Sequence, residues 1–472
     1  MIISSRKILY YIISIIILCL VAYSLGYTAA FIDPKLIIGA IIGLILCGLI
    51  LKQPLAGIYL LIFFLPFERI GSLDLAGVTI RISHVITILT IISWIVRGFV
   101  MGKFKFRPNP VIIPIALFLS VNIISLTNSP NLDRSIFVLL FTLFTISVAL
   151  AIPNLLRHRS QLHTAVVVLL ISMTVVSIFG IYQFLGDLVG LPETLTGLRP
   201  QYTKDILGFP RIQSTALEPL YFANYLLIPL GVAIALFLSK YKKIKPIFLL
   251  GAIILGGLNL VLTVSRGGYI AFAGTLAILA LIYWKELIRP HNVIAGLVIV
   301  AVVSMVAVRV LNVEEQLETF TTHVGNLFEG ASYSERVDTF ETANTIWNQH
   351  PWIGIGPGGF GPYTSYHPLI VPGDGYKIVN NEYIELLAET GMLGLAFYIL
   401  IIITLMVRSI KALKIGKDPF LRNLLIGLLA AYTGILIQYN TFSILYIIHI
   451  WFTIGIIIAV QNLLLSPNEK ER

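Results

Sequence analysis

The sequence predicts an all-α integral membrane protein, a polytopic bundle of about 12–14 transmembrane helices. Three observations support this fold class. Hydrophobic residues make up 57% of the 472-residue chain and charged residues only 12%, whereas a soluble domain carries about 25% charged residues. The mean hydropathy is +0.91. Apolar runs approaching the roughly 20 residues that a membrane-spanning helix needs recur along the chain. We therefore treat residues 1–472 as a single polytopic membrane domain.

The candidate spans number about fourteen. Two of them, at 36–51 and 54–67, are short; as a re-entrant hairpin they would reduce the count to twelve without changing the sidedness of the rest. The remaining segments lie near 8–30, 82–101, 110–127, 133–152, 162–184, 220–239, 246–264, 267–284, 291–310, 391–408, 420–438 and 443–463.

The charge distribution predicts the orientation. Arg6 and Lys7 precede a long first apolar run, which is typical of an uncleaved signal anchor with a cytoplasmic N-terminus. With that start, the inner loops hold 22 of the 33 Lys and Arg residues but only 4 of the 23 Asp and Glu residues, as expected for cytoplasmic loops. We expect both termini in the cytoplasm. The net charge of +10 then reflects topology and contact with anionic membrane lipids, and no nucleic-acid partner is predicted.

Two long loops are predicted on the outer side, at 185–219 and 311–390. The second is polar and rich in glycine and aromatic residues, so its backbone cannot lie unpaired in hydrocarbon. Within it, Ser332 followed by Glu335 matches a capping box, and Pro351 with the glycines after it would end the helix that starts there. The sequence predicts surface helices in this loop and a working surface that faces outward.

Arg266 is the one formal charge in the apolar run 246–284. As one helix at 1.5 Å per residue, this run would be about 58 Å long, nearly twice the roughly 30 Å hydrocarbon core. Lys245 and Lys285 flank its two ends and place both in the cytoplasm. The run must therefore turn near Arg266, which would either extend its side chain to the outer interface or point into a cavity and bind an anion.

Arg211 and Arg336 lie in the outer loops as well. Guanidinium groups bind phosphate oxygens in a bidentate manner and keep their charge. With Arg266 they predict a site for the diphosphate of a membrane lipid. The chain contains no Gly-x-x-x-x-Gly-Lys loop, no outer Asp-x-Asp pair and no histidines at metal-ligand spacing, so neither a metal ion nor a cofactor is predicted.

Several short motifs combine with this topology. Residues 180–183 read Gly-Ile-Tyr-Gln, Pro210-Arg211 precedes the next span, and Ser265-Arg266-Gly267 forms the predicted turn. Residues 350–358 read His-Pro-Trp-Ile-Gly-Ile-Gly-Pro-Gly, and residues 381–384, Asn-Glu-Tyr-Ile, lead to Glu-Thr-Gly at 389–391. In their order and outer placement, over residues from about 170 to 400, these features resemble the O-antigen ligase and O-antigen polymerase (Wzy-type) superfamily of polytopic glycosyltransferases.

The resemblance implies a substrate and a reaction. The donor would be a glycan on an undecaprenyl-type diphosphate lipid. The enzyme would transfer that glycan to the hydroxyl of a glycan or lipid acceptor, without a metal, at the outer face of the bacterial cytoplasmic membrane. Single displacement would invert the anomeric configuration. Arg211 and Arg266 match the family's diphosphate-binding arginines, and Arg336 matches its periplasmic-loop arginine. A flippase and a chain-length regulator are the implied partner proteins.

One position departs from the family pattern. Ligases of the family carry His-Asn before the Glu-x-Gly helix, and that histidine is thought to activate the acceptor hydroxyl; here the position is Asn380, whose amide cannot accept a proton at neutral pH. The departure favours the polymerase branch. It also leaves the base open among Glu218, His367, Asp374 and Glu389, unless arginine-assisted departure of the leaving group supplies most of the catalysis.

Alternatives remain for the other candidates. Glu389 and Glu218 each precede a predicted span and would otherwise serve as helix caps, and Trp352 would otherwise anchor at the membrane interface. A transporter of lipid-linked oligosaccharide is the rival function, and it should show two pseudo-symmetric halves. The candidate catalytic residues are Arg211, Arg266, Arg336, Glu389, Asn380 and His367, and the candidate substrate-binding residues are Glu218, Gln183, Tyr269, Asn381, Tyr383 and Trp352.

Overall fold

The structure, a computed structural model, describes residues 34–466 except 69–72, 76–77, 101–105, 108, 291, 295, 299–300, 302–330, 365–375 and 444. Within this part the chain is a helical bundle with a single two-stranded hairpin. Eight of its helices are long and apolar enough to cross a membrane, and four shorter apolar helices accompany them. The predicted all-α polytopic membrane fold is confirmed.

The helices follow the predicted apolar segments closely. The predicted span 8–30 and most of 291–310 lie outside the described residues. In chain order the helices are α1 (Pro34–Lys52), α2 (Pro54–Phe64), α3 (Ile82–Val100), α4 (Ile112–Ser125), α5 (Leu132–Leu155), α6 (Arg159–Leu188), α7 (Glu193–Thr196), α8 (Lys204–Leu207), α9 (Pro219–Leu238), α10 (Pro246–Leu262), α11 (Arg266–Leu287), α12 (Ala331–Gln349), α13 (Phe360–Thr364), α14 (Glu382–Ile415), α15 (Pro419–Gln438) and α16 (Ile448–Leu465).

Helices α9 and α16 form the centre of the bundle. In α16, 94% of the most apolar window is buried by protein, against 33% in α3 and α11, so α3 and α11 present apolar side chains to lipid. Helix α9 crosses α15 closely: a Cβ added at Gly231 would lie only 2.7 Å from the carbonyl oxygen of Gly427. Small residues at such crossings let helix backbones approach within the membrane.

The run 246–284 turns back on itself as predicted. Helix α10 ends at Leu262 and α11 begins at Arg266. Val264, between them, has φ +47°, and the Ser265 hydroxyl caps α11 by accepting a hydrogen bond from the Gly268 N–H at 3.2 Å. Arg266 therefore lies at the turn between α10 and α11, as the first residue of α11.

The strands precede α3. Strand β1 (Leu73–Leu75) pairs in antiparallel fashion with β2 (Val78–Ile80), with Leu73 opposite Ile80. The hairpin leads directly into Arg81 and the first turn of α3. It thus positions a charged residue at the end of the bundle that also carries the loops of the candidate site.

Helix α14 differs from the predicted span 391–408. It begins nine residues earlier, at Glu382, and contains one break, at Gly391, where φ is +66° and ψ is −170°. The side chains of Glu382, Glu385 and Glu389, which make this segment look like a loop in the sequence, are buried. The polar end of the predicted outer loop is thus the first part of a long helix.

Candidate functional site

The loop before α9 brings Arg211 to the α10–α11 turn. The Arg211 Nε donates to the Thr263 carbonyl oxygen at 3.2 Å, and the next residue's N–H donates to the Leu262 carbonyl oxygen at 3.1 Å. These two bonds attach the loop to the end of α10, three residues before Arg266. The structure thus brings together two of the three arginines that the sequence singled out.

Burial shapes the charges around Arg211. It lowers the pKa of the Arg211 guanidinium, and the positive charge of Arg266 adds to that effect, while Tyr202, Tyr269 and Glu218 oppose it. The Arg211 guanidinium also lies over the Tyr202 ring, 5.6 Å from its centroid. A cation in this partly desolvated position interacts more strongly with an anionic ligand than it would in water.

Glu218 lies at the N-cap position of α9 with extended backbone. Its side chain makes no capping hydrogen bond, which removes the simple helix-cap explanation. Burial raises the pKa of the Glu218 carboxyl, and Arg199 and Arg211 lower it in part. Glu218 is therefore the acidic neighbour of the arginine pair.

Gln183 and Tyr269 hold the backbone around Arg211. The Gln183 amide accepts from the Ser214 N–H at 2.8 Å and donates to the Ser214 carbonyl oxygen at 3.2 Å, which fixes a residue with φ +50°. The Tyr269 hydroxyl donates to the Val261 carbonyl oxygen across the α10–α11 turn. Gln183 is fully buried, so the contacts described here position the arginine loop; its predicted contact with substrate stays a prediction.

The glycine-rich segment 350–360 packs against the break in α14. The N–H groups of Ile355 and Gly356 donate to the carbonyl oxygens of Ala388 and Glu389 at 3.2 and 2.8 Å. After the break, the N–H groups of Met392 and Leu393 donate to those of residues 351 and 352 at 2.9 and 3.2 Å. The segment therefore satisfies the backbone groups that the break leaves without helical partners.

Two glycines make this contact possible. A Cβ at Gly354, where φ is +65°, would lie 2.3 Å from the Glu389 carbonyl carbon, and a Cβ at Gly391 would lie 2.3 Å from the Trp352 carbonyl carbon. No side chain fits at those distances. The Gly-x-Gly-x-Gly pattern and the Glu-Thr-Gly motif thus encode one joint between loop and helix.

Glu389 belongs to the same joint. Its carboxylate accepts hydrogen bonds from the N–H groups of Gly358 at 2.8 Å and Phe360 at 3.1 Å. It does not cap its own helix, because it lies seven residues inside α14. Its partners in the glycine-rich segment hold it at the wall of a cavity.

That cavity, about 270 Å³ in volume, lies between the starts of α3, α5 and α9 and the first part of α14. We refer to it as the outer-end cavity. Three basic residues that the sequence reasoning missed line it, together with two carboxylates and several aromatic rings. Its principal lining residues are Arg81, Arg134, Lys377, Glu385, Glu389, Phe137, Phe141, Tyr221 and Tyr446.

Arg134 connects the glycine-rich segment to the cavity wall. Its Nε donates to the Gly358 carbonyl oxygen at 2.9 Å, and its guanidinium lies over the Tyr376 ring, 4.3 Å from the centroid. Glu385 accepts from the Val379 N–H at 3.0 Å. Arg134, Glu385 and Glu389 are thus each oriented by backbone contacts.

Tyr221 joins the two regions. It lines the outer-end cavity, one helical turn after Glu218, and lies within electrostatic range of Glu218, Arg81 and Glu385. The arginine pair and the cavity are therefore neighbouring parts of one candidate site. Chain segments near 81, 134, 211–221, 263–266, 358–361, 377–389 and 446 meet there.

The remaining predicted residues have varied positions. The Asn381 side chain caps α14 by accepting from the N–H groups of Tyr383 and Ile384, both at 3.1 Å. The Tyr383 hydroxyl donates to the Leu436 carbonyl oxygen at 2.8 Å. Asn380 has φ +59°, a left-handed conformation that asparagine tolerates.

Arg336 lies in the first half of α12, one turn before Thr339, whose hydroxyl contacts the carbonyl oxygen of Val379, the residue before Asn380. Trp352 is 62% exposed. His367 and Asp374 lie outside the described residues, and so do the side chains of the predicted capping box. No group of three or more His, Cys, Asp or Glu side chains that could hold a metal ion occurs in the described part of the chain.

A sequence signal for the missed residues does exist. Arg81 and Arg134 both fall on the outer side under the predicted orientation, where basic residues are few, and the same rule drew attention to Arg266. They were overlooked because each stands alone in a short loop. Only the fold shows that they face one cavity.

One family model matches a part of the chain that contributes residues to this site. Residues 250–399 match the family model described as O-antigen ligase. The matched segment starts in α10, includes Arg266, Arg336, the glycine-rich segment and Glu389, and ends within α14. No curated protein matches the chain.

Proposed function

We propose that this protein, in which residues 250–399 match the family model described as O-antigen ligase, is a membrane glycosyltransferase that acts on a lipid-linked glycan. The donor is a glycan on an undecaprenyl-type diphosphate, and the acceptor is a hydroxyl group at the outer face of the bacterial cytoplasmic membrane. The observation that carries the proposal is the meeting of Arg211 and Arg266 at the α10–α11 turn, next to the outer-end cavity.

The arginine pair binds the donor diphosphate in this proposal. The Arg211 Nε is held by the Thr263 carbonyl oxygen, which fixes the plane of the guanidinium and directs its terminal amino groups. As the bond between sugar and diphosphate breaks, negative charge grows on the leaving diphosphate, and prepositioned cations stabilise it. Removing one such donor typically lowers a rate by about 10²–10³.

The acceptor occupies the outer-end cavity. Its hydroxyl attacks the anomeric carbon from the face opposite the diphosphate, so that the configuration inverts, and the hydroxyl proton passes to a nearby base. Asn380 cannot take that proton. Glu389 lines the cavity with backbone N–H groups holding its carboxylate, and Glu218 lies beside the arginine pair; these are the two candidate bases among the described residues.

We favour polymerisation of repeat units over ligation. Asn380 replaces the histidine that ligases of the family carry, and the polymerase branch accommodates that replacement. A ligase that transfers the finished glycan to a lipid A-core or another acceptor is the alternative. In either case a flippase would deliver the donor, and a chain-length regulator would act with a polymerase.

Glycan banding on gels tests the function directly. Cells with wild-type protein should give a ladder, and a deletion should leave single repeat units if the protein is a polymerase. If polymer persists on its carrier lipid in the deletion strain, the protein is a ligase. Arg266→Ala should reproduce the deletion, whereas Arg289→Ala, which removes an arginine just beyond the opposite end of α11, should leave the ladder intact.

Arg266→Lys separates a transferase from a transporter. A transporter that needs only positive charge would retain function with lysine, whereas bidentate phosphate binding would not. We expect transfer to fall by about 10²-fold or more. A wild-type ladder with either Arg266 variant would refute the assignment of the arginine pair.

A further inference from the structure

We infer that the outer-end cavity is a subsite for an acidic sugar, one whose ring carries a carboxylate or a phosphate group. The inference rests on the proposed function, because it assigns this chemistry to the acceptor glycan. It explains why three basic side chains that lie apart in sequence, Arg81, Arg134 and Lys377, line one cavity.

Arg81 is the strongest indication of an anionic ligand. Its Nε is buried and has no hydrogen-bond partner among the described residues. A buried N–H group of a charged side chain without a partner is costly. Arg81 also lines the outer-end cavity, so an anionic ligand there would compensate the charge of its guanidinium.

One acidic residue near Arg81, Glu68, lies outside the cavity. Glu68 interacts electrostatically with Arg81, but its two carboxylate oxygens have other neighbours. Its Oε2 accepts from the Leu217 N–H at 3.3 Å, and its Oε1 lies 3.9 Å from the His449 Nδ1. No ion pair within 4.0 Å joins Arg81 to an acidic residue in the part of the chain that the structure describes.

The two cavity carboxylates fit a sugar rather than a simple anion. Glu385 and Glu389 each accept backbone N–H groups, which partly offsets their charge, and each retains further lone pairs for sugar hydroxyl groups. Phe137, Phe141 and Tyr221 supply apolar surface for the ring. An acidic sugar presents all three kinds of group: an anion, several hydroxyls and an apolar face.

The volume of the outer-end cavity suits one sugar ring. Ligand pockets commonly measure about 300–1,000 Å³, and the outer-end cavity, about 270 Å³, is at the lower limit. Tyr221, which lines the cavity, lies within electrostatic range of Glu218, the neighbour of the arginine pair. The acidic ring would thus lie on the acceptor side, beside the donor diphosphate.

Ligand binding to the full-length protein in lipid nanodiscs tests this inference without requiring turnover. Saturation-transfer NMR would compare glucuronate, glucose 6-phosphate and glucose, and inorganic pyrophosphate would serve as competitor. We expect at least one acidic sugar to bind at least tenfold more tightly than glucose. Arg81→Gln should weaken that binding about tenfold or more, the loss expected for a hydrogen bond to a charged group.

The controls separate the subsite from the donor site. Arg289→Gln should leave sugar binding unchanged, and thermal unfolding of each variant would show that it is folded. If Arg81→Gln does not fold, Lys377→Gln takes its place. Because binding is measured without turnover, the binding result can be interpreted even if the transfer assay fails.

Three outcomes would overturn the inference. Glucose could bind as tightly as both acidic sugars. The Arg81 and Lys377 variants could bind the acidic sugar like wild type. Pyrophosphate could bind with a dependence on Arg81 and none on Arg211, which would assign the cavity to the donor diphosphate.

Discussion

Glu218 lies near both parts of the candidate site, the arginine pair and the outer-end cavity. It is the acidic neighbour of Arg211 and Arg199, and one turn of α9 separates it from Tyr221 on the cavity wall. A carboxyl in this position holds its proton more firmly than one in water, because burial disfavours its charged form more than the arginines favour it. That balance predicts a pH effect.

We expect Glu218 to make folding stability depend on pH. Burial raises the pKa of the folded-state carboxyl above its unfolded value, which is about 4.3, so the folded protein binds this proton more tightly than the unfolded chain does. The resulting stabilisation is complete below the unfolded pKa and is lost as pH rises through the folded-state pKa. Glu218→Gln removes this contribution.

Thermal unfolding in detergent at a series of pH values measures the contribution of Glu218 to folding stability. The Tm of wild type minus that of Glu218→Gln should decrease from about pH 4 to about pH 8. Glu68, whose pKa burial also raises, is present in both proteins and cancels in the difference. A difference that stays constant across this range would contradict the prediction.

At the scale of single residues, sequence reasoning identified side chains by their chemistry and not by their neighbours. An arginine at the middle of a 39-residue apolar run had to lie at a turn, and Arg266 does. That Arg211 would contact the same turn depends on a loop hydrogen bond to Thr263, which no local pattern encodes. The roles of Arg81 and Arg134 depend on contacts between distant segments in the same way.

At the scale of elements, the local sequence predicts most of the membrane helices, but it does not predict where α14 begins. Apolar length predicted the segments that became α3, α5, α6, α9 and α15. The first part of α14 carries Glu382, Glu385 and Glu389, which suggested a loop. Their carboxylates are instead satisfied by backbone N–H groups of residues 445, 379, 358 and 360, a tertiary arrangement beyond any window of sequence.

The break in α14 predicts a large effect of a small change. Gly391→Ala would place a Cβ 2.3 Å from the Trp352 carbonyl carbon, at a residue whose φ of +66° alanine disfavours. We expect a loss of unfolding free energy well above the roughly 1 kcal/mol typical of an unfavourable glycine replacement, and loss of transfer activity, because the backbone holding Glu389 would shift.

Gly257→Ala in α10 is the matched control. A Cβ there has nothing within 4 Å, and alanine favours a helix interior over glycine by roughly 0.5–1 kcal/mol. Denaturation of the two purified variants should therefore give opposite signs relative to wild type. Equal stability of Gly391→Ala and wild type would show that the joint tolerates a side chain.

At the scale of the whole molecule, we predict that the candidate site faces the outer side of the membrane. The helix ends and loops that carry Arg81, Arg134, Arg211, Arg266 and Tyr446 all fall outside under the charge rule that places Lys and Arg in the cytoplasm. A buried polar network behind them joins α9, α15 and α16: Asn224 contacts His449 at 2.7 Å and donates to Gln438 at 2.8 Å. Such networks favour one rotation of each helix.

Cysteine labelling in intact cells tests this orientation. After replacement of Cys19 and Cys47 by alanine, Ile206→Cys should react with a membrane-impermeant maleimide, because Ile206 is 67% exposed in the predicted outer loop. Lys242→Cys, exposed between α9 and α10, should react only after permeabilisation. The reverse pattern would place the candidate site in the cytoplasm and contradict the proposed function.

The joint between the glycine-rich segment and α14 has a practical consequence for work on fragments of the protein. Four backbone hydrogen bonds run between residues 351–356 and residues 388–393, so part of the outer loop completes the ladder of a membrane helix. Expressed alone as a water-soluble fragment, the segment would lose those partners, and the remaining helix would expose unpaired amides to lipid. Loop and membrane helix are one cooperative unit, and crystallisation or antibody-selection work needs the intact chain.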